Sequence, residues 1–217
     1  YMVDYDVRTG EGPKCADDVE PGDVLISEVG WYGWNGLRRG SDYSGAPDER
    51  EFVSDDEFIE LYNTTDEPIN LSLWTISNGD DFTVGFTPGT VIQPKQYFLI
   101  LDHNLESYSD SEPQREVEAY TGADFVMNLA NDPRFPRLNL KDVSLDLRLV
   151  DTLAREIDRA GDGRPPFAGG PDYSQAGEVL LVRSMERDIT MADGTDPAAW
   201  SACSASEGGE NVNEPFR

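Results

Sequence analysis

Hydrophobic and polar residues alternate with a period of two along much of the chain, which is the spacing of a β-strand with one buried face. The run 145–149 shows this clearly, because three leucines alternate with Asp146 and Arg148. Helical periodicity is weak, and the best candidate for a helix is a single turn at 125–130. The pattern predicts strands at 23–29, 57–62, 69–76, 82–86, 97–101, 145–149, 153–158, 179–182 and 198–201.

Turn-forming dipeptides lie between these runs. Short strands separated by such turns predict an all-β fold, an antiparallel β-sandwich. Two polar segments, 31–54 and 103–141, break the spacing, and we expect them to be long loops inserted into the sandwich. The predicted organisation is an N-terminal arm at 1–21, one sandwich domain at 22–213 and a short tail at 214–217.

The charge balance restricts the partners that the protein can have. The chain of 217 residues has 43 acidic and 17 basic side chains, a formal net charge of -26. Such a surface repels nucleic acid and anionic lipid, so neither is an expected partner. No run approaches the about 20 apolar residues of a membrane helix, so no membrane span is predicted. The composition suits salty or divalent-rich surroundings, although selection for solubility explains it equally well.

Few residues are suited to catalysis. His103 is the only histidine, which excludes a zinc site of the usual His/Cys kind. No nucleophile-elbow or phosphate-binding glycine motif occurs, so the chain is not predicted to be an enzyme. Glu28 and Glu60 lie in strands expected to be neighbours and could act as an acid–base pair or bind a cation. The alternative for both is contact with arginine or solvent.

The two cysteines, Cys15 and Cys203, lie near opposite ends of the chain in polar surroundings. We predict a disulfide between them, which would contribute about 4–5 kcal/mol in the chain-entropy model. Such a bond implies an oxidising, extracytoplasmic location. The alternative is two unrelated thiols.

Oxygen ligands are plentiful, so calcium is the candidate metal, although no cofactor is expected to be required. The candidate ligands lie in two acidic segments, neither of which has EF-hand spacing. Solvated turns are the alternative for both segments. The candidates are Asp80, Asp81, Asp158 and Asp162.

Two aromatic segments are candidate partner-binding surfaces. Trp31, Tyr32 and Trp34 could form a platform for a glycan or a protein, or fold back over the sandwich. The N-terminal arm has the alternation of a strand, which could add to a sheet edge of a neighbouring molecule or of its own domain. Its inward-facing residues would be Tyr1, Val3, Tyr5 and Val7.

Three consecutive segments, 24–29, 56–63 and 66–74, resemble the lamin-tail domain. The segments 86–94 and 97–101 resemble its next two strands, and 179–183 and 193–200 resemble its ending. The similarity extends over 22–213, with the two loops as insertions. The chain departs from the family pattern at Thr64, where proline is common, and at Leu73, where glycine is usual. The resemblance implies an immunoglobulin-like β-sandwich without catalytic residues, of the secreted or surface-associated prokaryotic type.

These expectations combine into two functional hypotheses. The first is a non-catalytic extracellular structural protein, a subunit that forms homo-oligomers or polymers in a surface filament, sheath or matrix through strand addition or loop contacts. The second is a cell-surface binding module for a glycan or a protein, with calcium as its candidate cofactor.

Overall fold

The protein is described here from a computed structural model. The described residues are 12–32, 34–36, 51–53, 57–102, 124–127, 138, 140, 142–173, 175 and 179–203. Almost all regular structure in them is β, with two short 3₁₀ helices at Ala16–Asp18 and Pro197–Ala199. No helix in these ranges is long and apolar enough to cross a membrane.

The strands follow one another along the whole described chain. Their bounds are β1 Val24–Gly30, β2 Trp34–Gly36, β3 Glu51–Val53, β4 Phe58–Asn63, β5 Ile69–Asn70, β6 Thr75–Asn78, β7 Phe82–Gly85, β8 Val91–Ile92, β9 Tyr97–Asp102, β10 Phe125–Met127, β11 Leu145–Val150, β12 Glu156–Arg164, β13 Gly170–Tyr173, β14 Val179–Arg183, β15 Met185–Arg187 and β16 Trp200–Ala202.

Two sheets form the body of the domain. One has six strands in the order β10-β9-β4-β1-β15-β16, and the other has four in the order β12-β11-β6-β7. Their inward-facing side chains form one apolar core, in which Trp74 is 1% exposed and Ile59, Leu61 and Leu147 are fully buried. The alternation seen in the sequence therefore defines the inner face of each sheet.

A β-bulge at Ser27 changes the direction in which β1 presents its side chains. Ile26 lies opposite Leu61 of β4, but the next paired residue of β1, Glu28, lies opposite Glu60. Because one residue is extra, the alternation shifts by one position. Val29 therefore enters the core, and Glu28 is placed on the outer face of the six-stranded sheet.

Two local predictions are wrong. The segment 69–76 is not one strand, because a turn in which Trp74 N–H donates to the Leu71 carbonyl at 3.0 Å separates β5 from β6. Phe125–Met127 is not helical but forms a strand parallel to β9. In both places pairing with a neighbouring strand decides the local structure, and short patterns do not report such pairing.

The described parts of the predicted insertions and arm belong to the folded body. Leu138 and Leu140 are buried in the core, and β2 pairs with β3 inside the first insertion. In the arm, Lys14 forms a bridge with Ile69, and Val19 is fully buried. Residues 12–21 therefore pack against the sandwich.

Candidate functional site

Three glutamates lie side by side across the outer face of the six-stranded sheet. Glu28 of β1 lies opposite Glu186 of β15 on one side and opposite Glu60 of β4 on the other. We call Glu186, Glu28 and Glu60 the acidic row. Like charges directly opposite each other on neighbouring strands destabilise a sheet, so this arrangement needs a physical explanation.

The two inner members of the row are buried, with Glu28 9% and Glu60 5% exposed. A small apolar cluster on the same face, Phe58, Leu99 and Leu101, lies on β4 and on β9, where Leu99 is opposite Glu60. This cluster contributes to the low-dielectric surroundings of the carboxyl groups.

Two buried serine hydroxyls hold these carboxyl groups in place. Ser27 Oγ donates to Glu60 Oε1 at 2.9 Å, and Ser184 Oγ donates to Glu28 Oε1. Ser27 is the extra residue of the bulge, so the distortion that places Glu28 on this face also supplies a donor for Glu60. None of the ion pairs among the described residues involves a member of the row.

The surroundings favour the neutral form of both buried carboxyls. Burial raises the pKa of Glu28 to about 7, with a further increase from Glu186 and opposition from the Ser184 hydroxyl. Burial also raises the pKa of Glu60 to about 8, and the charge of Glu28 adds to this. Desolvation penalises the charged form of a carboxyl, and a second carboxylate nearby penalises it further.

Other titratable groups surround the row. Asp124, just before β10, accepts a hydrogen bond from Leu99 N–H at 3.0 Å, and burial raises its pKa. Burial also raises the pKa of Tyr97 and of the Cys203 thiol, and the charges of Glu28 and Glu186 contribute to both shifts. The two buried carboxyls, Glu28 and Glu60, are therefore surrounded by further groups whose pKa values are raised.

This geometry can bind and release protons, with the two buried carboxyls titrating as a pair. Glu28 and Glu60 are neighbours, as their strand positions indicated. The alternative prediction was that each contacts an arginine or solvent, but both are buried and neither forms an ion pair among the described residues. Within those residues no group of three or more metal-ligating side chains is positioned to hold an ion.

The calcium candidates lie in different surroundings. Asp158 is directed between the sheets, where its Oδ2 lies 2.7 Å from Arg187 Nη1, so its charge is already neutralised. Asp162 pairs at 3.7 Å with the largely exposed Arg164. Asp80 and Asp81 lie in the turn between β6 and β7. Calcium takes at least six oxygen ligands, and the Asp158 candidate is therefore corrected to a structural ion pair.

This buried ion pair replaces missing strand pairing at the β1 bulge. Asp158 Oδ2 accepts the Ile26 amide at 2.7 Å, and Arg187 Nη1 donates to the Ile26 carbonyl at 3.3 Å. Arg187 also donates to the carbonyls of Met191 and Ala192 and lies over the Trp200 ring. It thereby joins β1 to β12 of the opposite sheet.

The predicted aromatic platform is not exposed at Trp31. That side chain is only 9% exposed, and its Nε1 donates to the Ala168 carbonyl at 2.9 Å. Its ring covers Gly170, where a Cβ would lie 2.7 Å from the ring. Tyr32 packs edge-on against Trp31 and exchanges a 3.2 Å hydrogen bond with the exposed Tyr173 hydroxyl. Trp34 lies in β2, and its side chain is outside the description.

Cys15 and Cys203 do not form the predicted disulfide, because the segments that carry them lie near opposite ends of β1. Lys14, next to Cys15, contacts Asp23 at 3.7 Å, just before β1 begins. Cys203 N–H donates to the Ser184 carbonyl, beside Met185, which pairs with Val29 near the end of β1. These places are separated by roughly 20 Å of strand, whereas a disulfide needs Cα atoms within about 7 Å.

The arm residues Tyr1, Val3, Tyr5 and Val7 lie outside the described residues. Sequence reasoning missed Ser27, Ser184, Glu186 and Arg187 as members of these networks. The strand pattern could have indicated Glu186, which alternates with Met185 and Arg187. The serines and the arginine depend on the bulge and on sheet order, which have no local signature.

Two sheets, antiparallel except at the β9–β10 pair, pack around a tryptophan-containing core and form an immunoglobulin-like β-sandwich, which confirms the expected fold class. The chain belongs to the lamin-tail family, because the model of the Lamin Tail Domain matches residues 20–161. No curated protein matches the chain. Glu28 and Glu60 lie inside the matched range, whereas β13 to β16, which supply Glu186 and Arg187, lie beyond it.

Proposed function

We propose that this chain is a non-catalytic structural subunit that assembles with copies of itself outside the cytoplasm, in a surface filament, sheath or matrix. The observation that carries the proposal is the edge strand β7. It is the last strand of the four-stranded sheet, and its Thr83 and Gly85 are exposed. An exposed edge strand can accept a strand from another molecule.

Charge sets the condition for assembly. Each copy has a formal net charge of -26, so two copies repel each other over most of their surfaces. At about 1 M salt the Debye length falls to about 3 Å, and this repulsion becomes short-ranged. Association is therefore expected to strengthen as the salt concentration increases.

Light scattering and negative-stain electron microscopy of the whole chain test this proposal. We expect particles larger than a monomer to form as sodium chloride is raised, and calcium chloride at equal ionic strength tests the candidate calcium effect at Asp80 and Asp81. A chain that stays monomeric at every salt concentration contradicts the proposal. Antibody labelling of intact source cells tests the extracellular location.

The alternative function, a cell-surface binding module, is supported by one observation. Tyr173 is 55% exposed and is held against Tyr32 by the hydroxyl contact, and paired aromatic side chains at a surface can contact a sugar ring. A glycan array with the wild-type chain and with Tyr173→Ala tests it. Binding that the substitution removes would favour this alternative.

A further inference from the structure

The surface around β7 lacks charge in a highly charged protein. The 24 residues 69–79 and 82–94 contain no acidic or basic side chain, although charged residues make up 28% of the chain. Asp80 and Asp81 lie in the turn between these two segments. We call the residues 69–79 and 82–94 the uncharged hairpin, and it comprises β5 to β8 with their turns.

The far side of β7 offers backbone hydrogen-bonding groups. The N–H and C=O of Phe86 both face the segment that precedes β6. The N–H donates to the Trp74 carbonyl, and the C=O accepts from the Leu73 amide. Because alternate residues of a strand direct these groups to opposite sides, those of Thr83 and Gly85 face away from β6. No described strand pairs with them.

In the described residues, the other edges of the two large sheets are covered or very short. At the edge of β12, the Ile157 carbonyl accepts the Gly22 amide and the Gly161 amide donates to the Gly194 carbonyl. The edge strands β10 and β16 have three residues each. Edge strands usually have charges, prolines or covering segments, and β7 has none of these within the described structure.

Leu73 is unfavourable for the isolated molecule in two ways. It has a φ of 64° in the turn between β5 and β6, a conformation that favours glycine or asparagine. Its side chain is also 62% exposed. Its amide bonds to the Phe86 carbonyl, so it lies one strand from the open edge. A strained residue with an exposed apolar side chain suggests a contact made outside the monomer.

We propose that two copies of this chain associate through the uncharged hairpin, with β7 pairing antiparallel to β7 of the second copy and Leu73 buried in the contact. The charge distribution favours a second copy at this surface. A second copy also has a net charge of -26, so the acidic surfaces repel it, whereas the uncharged hairpin does not. In this pairing the two β6–β7 turns lie at opposite ends, so their aspartates stay apart. The inference rests on the proposed self-assembly and specifies its contact.

Matched proline substitutions in two edge strands test the pairing. Thr83→Pro removes an amide that faces away from β6, and Ala202→Pro does the same at the edge of β16, where Cys203 N–H bonds inward to Ser184. We expect sedimentation equilibrium at about 1 M salt to show association at least about tenfold weaker for Thr83→Pro. Ala202→Pro is expected to associate like the wild type.

Leu73→Gly provides a test that does not depend on the tolerance of β7 for proline. It removes the exposed side chain and the strain at positive φ, so the melting temperature is expected to hold or increase. Association is expected to weaken about tenfold, because the apolar contact is lost. A purely structural role of Leu73 cannot produce opposite changes in stability and association.

The outcomes separate the two proposals. If the wild-type chain never associates, both fail. If it associates, and Thr83→Pro and Leu73→Gly associate equally well, only the contact proposed here is overturned. A variant that lacks residues 1–11 completes the test. If this variant no longer associates, the N-terminal arm of the second copy, and not its β7, pairs with the open edge, and the proposed contact is overturned.

Discussion

The two sheets of this domain accommodate carboxylates in opposite ways. Every acidic residue in the strands of the four-stranded sheet is paired with an arginine, in the pairs Asp146–Arg148, Asp146–Arg159, Glu156–Arg148, Asp158–Arg187 and Asp162–Arg164. Among the described residues, the buried members of the acidic row in the six-stranded sheet accept hydrogen bonds from serine side chains and form no ion pair with an arginine. One sheet pairs its acids with arginine cations, whereas the surroundings of the two buried carboxyls in the other favour the protonated form.

The pKa directions show this contrast. Burial acts to raise the pKa of Asp146, but Arg148 and Arg159 outweigh it and hold that pKa below its usual value. Glu28 and Glu60 have no such partners in the described structure, and their pKa values rise to about 7 and about 8. The six-stranded sheet should therefore respond to pH between mild acid and mild alkali. In the four-stranded sheet the arginines outweigh burial at Asp146 but not at Asp158, whose pKa burial raises in spite of Arg187.

The largest expected effect is the pH dependence of stability. The folded state holds protons on Glu28 and Glu60 that the unfolded state releases near pH 4.5, so the free energy of unfolding should fall as pH rises from about 4.5 to about 8. One unit of pKa corresponds to about 1.4 kcal/mol, so the total loss is several kcal/mol. Urea unfolding at a series of pH values measures it.

The matched control for this prediction is the double variant Glu28→Gln/Glu60→Gln, which is neutral at every pH. Its profile should be flatter than that of the wild type, and it should be the more stable protein at pH values above about 8. Both series should use the same salt concentration, since the net charge of the chain adds a general repulsion that depends on salt. Parallel profiles for the two proteins would contradict the assignment of the acidic row.

The next largest effect is the loss of the cation from the buried Asp158–Arg187 ion pair. Arg187→Met leaves Asp158 buried without its cation, and such a change costs about 3–5 kcal/mol. Asp158→Asn/Arg187→Met should recover part of this loss, because no buried charge remains. Urea unfolding at pH 7 measures both variants. A loss below about 1 kcal/mol for the single variant would show that water or another group replaces the guanidinium.

The sequence predicts those features of the two sheets that depend on residues close together along the chain, and not those that depend on distant strands. Alternation in 145–149 identifies β11 and its inner face, because that signal is local. The strand positions of Glu28 and Glu60 indicate that they are neighbours. The bulge at Ser27, which places both carboxyls on one face, has no such signal, since it depends on the register between β1 and β4.

The incorrect predictions have the same origin. Cys15 and Cys203 resemble a disulfide pair in polarity and position along the chain, but their separation depends on which end of β1 each segment reaches. Asp158 resembles a turn ligand beside Gly161 and Gly163, yet it belongs to the nine-residue strand β12 and faces Arg187. Tertiary pairing, which short segments do not encode, decides both cases.

A smaller effect concerns the serine donors of the acidic row. Ser184→Ala removes the hydroxyl that favours the ionised form of Glu28, so the pKa of Glu28 should increase by about one unit. Carbon-13 NMR titration of the glutamate carboxyls measures the change directly. Ser201→Ala, at an exposed position of β16 opposite Glu186, is the matched control and should leave that pKa unchanged. An unaltered Glu28 titration in Ser184→Ala would show that the hydroxyl has no part in it.

The smallest expected effect lies on the outer face of the four-stranded sheet. Arg148 is about half exposed and bonds to Asp146 at 2.9 Å, but Arg159 bonds to the same carboxylate at 2.6 Å. Arg148→Met therefore leaves Asp146 with a cation, and exposed ion pairs contribute only about 0–1 kcal/mol. Urea unfolding should show a loss within that range that shrinks further in high salt. A loss as large as that of Arg187→Met would mean that the surface network, and not the buried pair, carries the charge balance of this sheet.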